Sequence, residues 1–319
     1  MTTNNAGDGS RISYFAGQFV PHEQAKVPIT AHVMNYGTGC FEGIRAYWNA
    51  DAAQLYVTLL EEHVDRLLRS ARILKLDFDG TRDELCSMVL ELLRRNDLRE
   101  DAYIRPLVYK ADETIKVMLT GLRTELAAYC QPMGAYLDID RGLRLTVSSW
   151  QRIDDNAIPA RAKVIGSYVN AALASDDARQ KGFDEALMLT GDGHLAEASS
   201  SNLFLVANGR LFTPRGSDDI LVGITRAAVM ELAAEMGVGV SEASIDRSEV
   251  LAADEVFLCG TGVQVAPVTE IDGRIIGAGA PGQVTLALQK RYLEVMRGEV
   301  ADHAAWRTPV YDAPAADSP

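Results

Sequence analysis

Long apolar runs are missing from this 319-residue chain. No stretch approaches the ~18 consecutive apolar residues that a membrane-crossing helix needs, so no transmembrane span is expected. Residues 1–10 are polar, with neither a basic lead nor an apolar core, and no secretory leader is expected from them. Cysteine is scarce: Cys40, Cys86, Cys130 and Cys259 stand apart, with no Cys-x-x-Cys pair. This is the thiol usage of a reducing compartment, where Cys packs as a small core residue, and a cytoplasmic location is expected. The five histidines are widely separated and no His-Glu-x-x-His or comparable ligand spacing occurs, so no metal site is expected. Basic charge is in the minority, with 31 Lys and Arg against 44 Asp and Glu, a net charge of −13, and the cations are scattered. Neutralising a nucleic-acid backbone takes clustered Lys and Arg, so neither nucleic acid nor a membrane is expected as a partner.

What is present fits a globular protein: 47% apolar and 24% charged residues exclude a disordered chain. At roughly 150 residues per domain, the length suggests about two domains. Residues 11–20 pattern as a hairpin around Gly17 and residues 55–59 as a strand. Residues 61–76 repeat apolar side chains at helical spacing, and Thr81 with Glu84 forms a capping-box pair at the head of a second amphipathic helix. Residues 102–110 pattern as a strand containing Pro106, which predicts a bend or an edge position. Residues 126–130 form another strand, and residues 135–142 are the expected interdomain linker. Beyond it come a strand at 143–149, a helix at 168–181, strands at 185–190 and 203–206, a helix at 225–236, a strand at 255–259 and a helix at 283–297. Asn208-Gly209 is a strong hairpin turn. Intermixed strands and helices with hairpins predict an α+β fold with mixed and antiparallel sheets. The expected divisions are tails at 1–10 and 308–319, a small domain at 11–134 and a large one at 143–307.

Several short segments suit chemistry, each with a plainer alternative. Gly277-Ala278-Gly279-Ala280-Pro281-Gly282 fits Gly-x-Gly-x-x-Gly between a strand and a helix. A dinucleotide site needs a further strand and an acidic residue about 20 residues on, and the chain leaves no room for them, so this is expected to be a loop. Gly223-Ile224-Thr225 stands at a helix mouth, where free amides and a hydroxyl suit an oxyanion; Thr225 as a simple cap is the alternative. Gly260-Thr261-Gly262 ends a strand and suits either an anion or a turn. Lys163 lies in a small and apolar stretch with Arg161 two residues before it, a setting suited to Schiff-base chemistry or to an ordinary surface lysine. Glu197 stands among small residues, able to pair with a buried cation, cap a helix or face solvent.

These segments occur in a familiar order. Asn35-Tyr36-Gly37-Thr38-Gly39-Cys40-Phe41-Glu42-Gly43-Ile44-Arg45 resembles the N-terminal signature of fold-type IV pyridoxal-phosphate enzymes, and within them the branched-chain amino acid aminotransferases. His63-Val64-Asp65-Arg66-Leu67, Tyr103-Ile104-Arg105-Pro106, and the stretches 163–168, 197–204, 223–226 and 254–261 match further blocks of that family in sequence order. The resemblance implies pyridoxal 5'-phosphate as cofactor, with Lys163 as Schiff-base lysine and as the base and acid for the substrate α-proton. It implies Glu197 at the pyridine nitrogen, Tyr168 at the ring hydroxyl and Leu221 on the ring face. Arg66, Gly223, Ile224, Thr225 and Thr261 would hold the phosphate. Tyr36, Phe41, Gly43, Tyr103, Arg105, Met133 and Tyr136 would line the substrate pocket, and the amides of Thr261, Gly262 and Val263 would meet the α-carboxylate. The implied reaction exchanges the amino group of Leu, Ile or Val with 2-oxoglutarate. The implied assembly is a homodimer or higher homo-oligomer, since in this family a partner subunit completes the site.

Two departures touch the pocket. The family's Gly-rich loop after the Tyr-x-Arg strand is replaced by Lys110-Ala111-Asp112-Glu113-Thr114-Ile115-Lys116, and Met133 stands where an aromatic is common. Met is slimmer and more adaptable, which leaves the side-chain preference open to a broad (R)-amine or D-amino-acid transaminase of the same fold. Readings of a different class, a nicotinamide oxidoreductase or a non-catalytic binding protein, predict no cofactor bound to a lysine. Arg105 favours a donor or acceptor with a second carboxylate.

Overall fold

The computed structural model describes residues 11–134 and 141–312. The chain divides into two compact units, one formed by Met1–Met133 with Thr308–Pro319 and the other by Gly134–Arg307.

In the first unit β1 (Ile12–Phe15) and β2 (Gln18–Pro21) form a hairpin whose turn places Gly17 at φ +84°. A short helix α1 (His32–Tyr36) precedes β3 (Gly39–Phe41), β4 (Ile44–Asn49) and β5 (Gln54–Thr58). Helices α2 (Leu60–Ile73) and α3 (Arg82–Arg95) follow, then the long strands β6 (Ala102–Lys110) and β7 (Thr124–Pro132). The capping box at α3 is formed: the Thr81 hydroxyl accepts from the Glu84 amide, and Glu84 accepts from the Thr81 amide at 2.8 Å. Helix α3 buries Leu85, Met88, Val89, Leu92 and Leu93 in one core with Val64, Leu67 and Ala71 of α2. These are the positions that 3.6-residue periodicity assigns to one face.

Two expectations change here. Strand β6 is not an edge: it lies between β4 and β7 and pairs with β3 as well. Pro106 is tolerated because its side of the ladder meets the break between β3 and β4. There the Pro106 carbonyl still accepts from the Glu42 amide at 3.0 Å, and the missing N–H interrupts no continuous partner strand. Nor is the chain a tail from residue 308. The strand Arg307–Pro309 pairs with β5, Val310 is fully buried, and Gln54 and Leu98 hold Tyr311 through its backbone and hydroxyl. An apolar Val310-Tyr311 pair inside an Ala-, Asp- and Pro-rich stretch carries no periodic signal, yet it fills the core beside Trp48. The expected tail at 1–10, residues 313–319 and most of the linker lie outside the described residues.

The second unit holds β8 (Leu143–Val147), α4 (Tyr168–Gln180), β9 (Glu185–Leu189), β10 (His194–Ala198), β11 (Asn202–Ala207) and β12 (Arg210–Thr213). It continues through α5 (Ile224–Glu235), β13 (Val240–Glu242), β14 (Ile245–Asp246), α6 (Arg247–Leu251), β15 (Glu255–Gly260), β16 (Gln264–Ile271), β17 (Arg274–Ile275) and α7 (Gln283–Arg297). Its sheet runs β13-β12-β11-β15-β16-β8-β9-β10-β14, with β17 on β16. The β12–β13, β16–β8 and β8–β9 pairs are parallel and the other pairs antiparallel. With helices beside mixed and antiparallel sheets, the fold is α+β. Asn208 and Gly209 both take positive φ, +51° and +71°, as a two-residue hairpin between β11 and β12 requires. Asn202 at the head of β11 pairs with Cys259 near the end of β15, so Ser201 and Gly260 are neighbours at one end of the sheet.

Candidate active site

The C-terminal unit brings Lys163, Tyr168, Glu197 and Leu221 into one electrostatic network. Lys163 lies in the segment between β8 and α4, and its Nζ donates to the Tyr168 hydroxyl at 2.7 Å. Tyr168 is the first residue of α4, so the helix fixes the phenol. Arg161, the cation two residues before Lys163, is exposed and pairs with Asp155 and the Gly216 carbonyl.

Glu197 sits on β10 and is buried. Its Oε1 lies 2.9 Å from Arg152 Nε, and its Oε2 accepts from Asn202 Nδ2 at 3.0 Å and from the Leu221 amide at 3.2 Å. Burial pushes the Glu197 carboxyl above the usual carboxylate range, while Arg152, the Leu221 amide and the charge of Lys163 pull it back. Asn202 also donates to the Leu221 carbonyl at 2.9 Å, so one amide side chain ties the carboxylate to the segment entering α5. Of the alternatives open to Glu197 in the sequence, pairing with a cation is the one realised, and that cation is half-buried. Sequence reasoning misses that cation, Arg152, and the clamp Asn202. The one signal for Arg152 is an arginine just past the end of a strand, which is common enough to be uninformative alone.

Helix α5 opens at Gly223, which is extended at φ −73° and gives no side-chain cap. Thr225 is buried inside the first turn and is not the cap. The leading amides of Ile224 and Thr225 therefore stand at the positive end of a 12-residue helix. A Cβ at Gly223 would overlap Asn202 Oδ1, so glycine lets the helix mouth and the Asn202 clamp coexist. Thr261, Gly262 and Val263 form the short link between β15 and β16; Val263 is buried, and Thr261 and Gly262 are half-buried.

The Gly277–Gly282 string is different. It precedes α7, but the helix mouth is occupied: Glu255 accepts from the Val284 amide at 3.0 Å and from the Thr285 amide at 2.8 Å. A carboxylate already satisfies the amides that a pyrophosphate would need, and the string is a loop.

The N-terminal unit gathers a second set. Phe41 is buried on β3, Gly43 follows it, and Tyr103 and Arg105 share one face of β6. Arg105 Nη2 donates to the Tyr103 hydroxyl at 2.5 Å, and its guanidinium carbon lies 4.3 Å from the Phe41 ring centroid. A Cβ at Gly43 would overlap the Tyr103 hydroxyl. Tyr36 ends α1, is exposed, and donates to the Ile115 carbonyl at 2.8 Å. Residue 115 belongs to the segment that replaces the glycine-rich loop, so that departure is anchored on α1. Met133 lies just past β7, its amide donating to the Asp101 carbonyl at 2.8 Å. Tyr136 lies outside the described residues.

Arg66 is on α2 and buried, with Nε 2.6 Å and Nη2 2.9 Å from the two oxygens of Glu42. His63 Nδ1 lies 2.8 Å from the same carboxylate. Burial opposes ionisation of Glu42, but Arg66 and His63 outweigh it and hold the carboxyl well below the usual range. In the sequence Glu42 is only one member of a motif; its pairing with Arg66, 24 residues away, depends on how β3 and α2 pack.

Burial pushes the thiols of Cys40, Cys130 and Cys259 up to about 12, which makes them poor nucleophiles. Among the described residues, no helix is long and apolar enough to cross a membrane. Glu231, Glu235 and His303 come close enough to share an ion, but the two acids are exposed on α5 and no further observation points to a metal there.

Residues 39–271 match the profile of the amino-transferase class IV family. A probable branched-chain-amino-acid aminotransferase of Aquifex aeolicus is 46% identical over 302 residues, covering 94% of this chain and 97% of its own. The crystal structure of a branched-chain aminotransferase from Thermoproteus uzoniensis with norvaline superposes with a TM-score of 0.91 at 41% identity, covering 95% of this chain and all of that one. That of the T.th. branched-chain amino acid aminotransferase complexed with N-(5'-phosphopyridoxyl)-L-glutamate gives 0.90 at 37% identity, covering 95% and 99%. This chain therefore belongs to the class IV aminotransferases, in the branched-chain-amino-acid aminotransferase family.

Proposed function

We propose that the protein transfers the amino group of Leu, Ile or Val to 2-oxoglutarate, using pyridoxal 5'-phosphate. The observation that carries this reading is the network in the C-terminal unit: an amine on a phenol at 2.7 Å and a buried carboxylate held by two amides and an arginine. These residues fit the cofactor by their chemistry. Its aldehyde calls for an amine, its ring hydroxyl for a phenol, its pyridine nitrogen for a buried carboxylate, and its phosphate for uncapped helix amides. When bound, the cofactor supplies an electron sink for the substrate α-carbon.

The chain's own residues do the rest. Lys163 would hold the cofactor through Nζ, and the same nitrogen would serve as base and acid for the substrate α-proton. Tyr168 orients Lys163 and meets the ring hydroxyl. Glu197 holds the proton on the pyridine nitrogen, and Leu221 packs on the ring. The amides of Ile224 and Thr225, the Thr261 hydroxyl and Arg66 take the phosphate, with Gly223 leaving the approach open. The amides of Thr261, Gly262 and Val263 take the α-carboxylate.

Side-chain recognition falls to Tyr36, Phe41, Gly43, Tyr103, Arg105, Met133 and Tyr136. Aromatic walls suit an aliphatic side chain, and Arg105 suits the second carboxylate of glutamate. Support for both halves comes from relatives: one binds norvaline, and another binds a phosphopyridoxyl adduct of glutamate. The assembly is a homodimer or a larger homo-oligomer.

The experiment is a donor panel of Leu, Ile, Val, D-Ala and (R)-1-phenylethylamine against 2-oxoglutarate, with product glutamate measured. The branched-chain L-amino acids should exceed both other donors by at least ~100-fold in kcat/KM, a difference of about 2.7 kcal/mol. A D-amino acid or amine as the best donor would replace the reading with the (R)-amine or D-amino-acid alternative.

A further inference from the structure

Two amides and one guanidinium converge on Glu197, and of these groups Arg152 alone carries a charge. Its side chain is 11% exposed, and its Nε lies 2.9 Å from Glu197 Oε1. The same nitrogen reaches the Asp219 carbonyl at 3.2 Å. Asp219 holds that carbonyl from a left-handed backbone, φ +54°, and is itself fixed where its Oδ1 accepts from the Asp155 amide at 3.1 Å. Asp219 thus holds the 152–155 segment at both ends, through its carbonyl on Arg152 and its side chain on the Asp155 amide. Lys163 also favours the Glu197 anion, but a lysine amine changes charge as it titrates or reacts. A guanidinium stays charged at any pH the protein survives.

Lone-pair counting adds a second role. Glu197 Oε2 accepts two hydrogen bonds, from Asn202 and Leu221, and is filled; Oε1 faces Arg152 Nε, whose one N–H is shared with the Asp219 carbonyl, and keeps acceptor capacity. Arg152 therefore turns the open lone pair as well as supplying charge. We infer that Arg152 is a positioning residue that keeps Glu197 ionised and aimed through the reaction, and so sets the protonation of the cofactor's pyridine nitrogen. This rests on the assignment of Glu197 to that nitrogen.

The test loads the protein with pyridoxal phosphate labelled with ¹⁵N in the ring. The ring nitrogen shift is then read by NMR in the wild type and in Arg152→Met, Arg152→Lys and Glu197→Gln. The wild type should show a protonated nitrogen and Glu197→Gln a neutral one. Arg152→Met should move at least half of the way to Glu197→Gln, and Arg152→Lys, which restores charge without the planar fork, should recover at least half of that movement. A wild-type shift in Arg152→Met, with Glu197→Gln displaced, overturns the inference and leaves the role of Glu197 standing. A wild-type shift in Glu197→Gln as well shows that the assignment of Glu197 is at fault. A second reading needs no cofactor: the Glu197 carboxyl carbon, titrated by ¹³C NMR in the apoprotein, should show a higher midpoint in Arg152→Met. An unchanged midpoint there also overturns the inference.

Discussion

Arg105 is held by an aromatic ring and a phenol, with its guanidinium carbon 4.3 Å from the Phe41 centroid and Nη2 2.5 Å from the Tyr103 hydroxyl. Among the described residues no acid pairs with it, which leaves the charge available to a substrate carboxylate. A hydrogen bond to a charged group contributes about 1.5–3 kcal/mol. Arg105→Met should slow the half-reaction with glutamate about 10–100-fold and that with leucine much less, as read by stopped-flow absorbance. Equal losses would mean that Arg105 is structural. Glu42 presents the opposite case, a carboxylate wholly occupied by Arg66 and His63. Glu42→Gln leaves the Arg66 charge buried without its counter-ion, which should cost about 3–5 kcal/mol in urea unfolding at pH 7. The sign of the pH dependence follows from the depressed folded pKa: the stabilisation is fully present above the unfolded value of about 4.3 and is lost as pH falls toward the folded one. The difference between wild type and variant should therefore shrink below about pH 4; a constant difference would contradict the ionised pair.

At the scale of elements, two helix mouths separate by what lies in them. Helix α7 is stopped by Glu255, whereas α5 begins at Gly223 without a side-chain cap. Gly223→Ala would drive a Cβ into Asn202 Oδ1, displacing the amide that joins Glu197 to the Leu221 carbonyl. Cofactor affinity, measured by titrating the apoprotein, should fall at least ~10-fold, or about 1.4 kcal/mol. An unchanged affinity would show that the mouth of α5 is not the phosphate site. Both mouths look alike in the sequence, a glycine ahead of an apolar-periodic run. Periodicity marks where a helix runs; which distant carboxylate reaches its first turn depends on sheet pairing, here β15 carrying Glu255 to α7. For the same reason the α3 capping box is legible in the sequence and the centrality of β6 is not. The box is a three-residue local pattern, while Pro106 is accommodated by a gap between strands some 60 residues earlier.

The whole molecule departs from its sequence reading at the C-terminus, where the chain returns to the first unit. Arg94 donates to the Val310 carbonyl at 2.6 Å, Tyr311 donates to the Leu98 carbonyl at 2.6 Å, and Arg99 stacks on the Tyr311 ring. Removing residues 308–319 uncovers this edge. Loss of Val310 burial alone amounts to about 1.5–3 kcal/mol, so thermal unfolding should begin several degrees lower, at roughly 2–4 °C per kcal/mol. An unshifted transition would show the strand to be dispensable. In the sequence, a family-wide order of motifs singles out Lys163, Glu197 and Arg105 above their plain readings. Arg152, Asn202 and the pairing of Glu42 are not singled out, since each acts through a contact that only the folded chain creates. The anchoring of the cofactor by Lys163, on which the proposed reaction depends, is tested by borohydride reduction of the loaded protein followed by peptide mapping. The phosphopyridoxyl mass should sit on the peptide containing Lys163 and vanish in Lys163→Ala; an adduct on any other lysine, or none in the wild type, would contradict that anchoring and the reaction built on it.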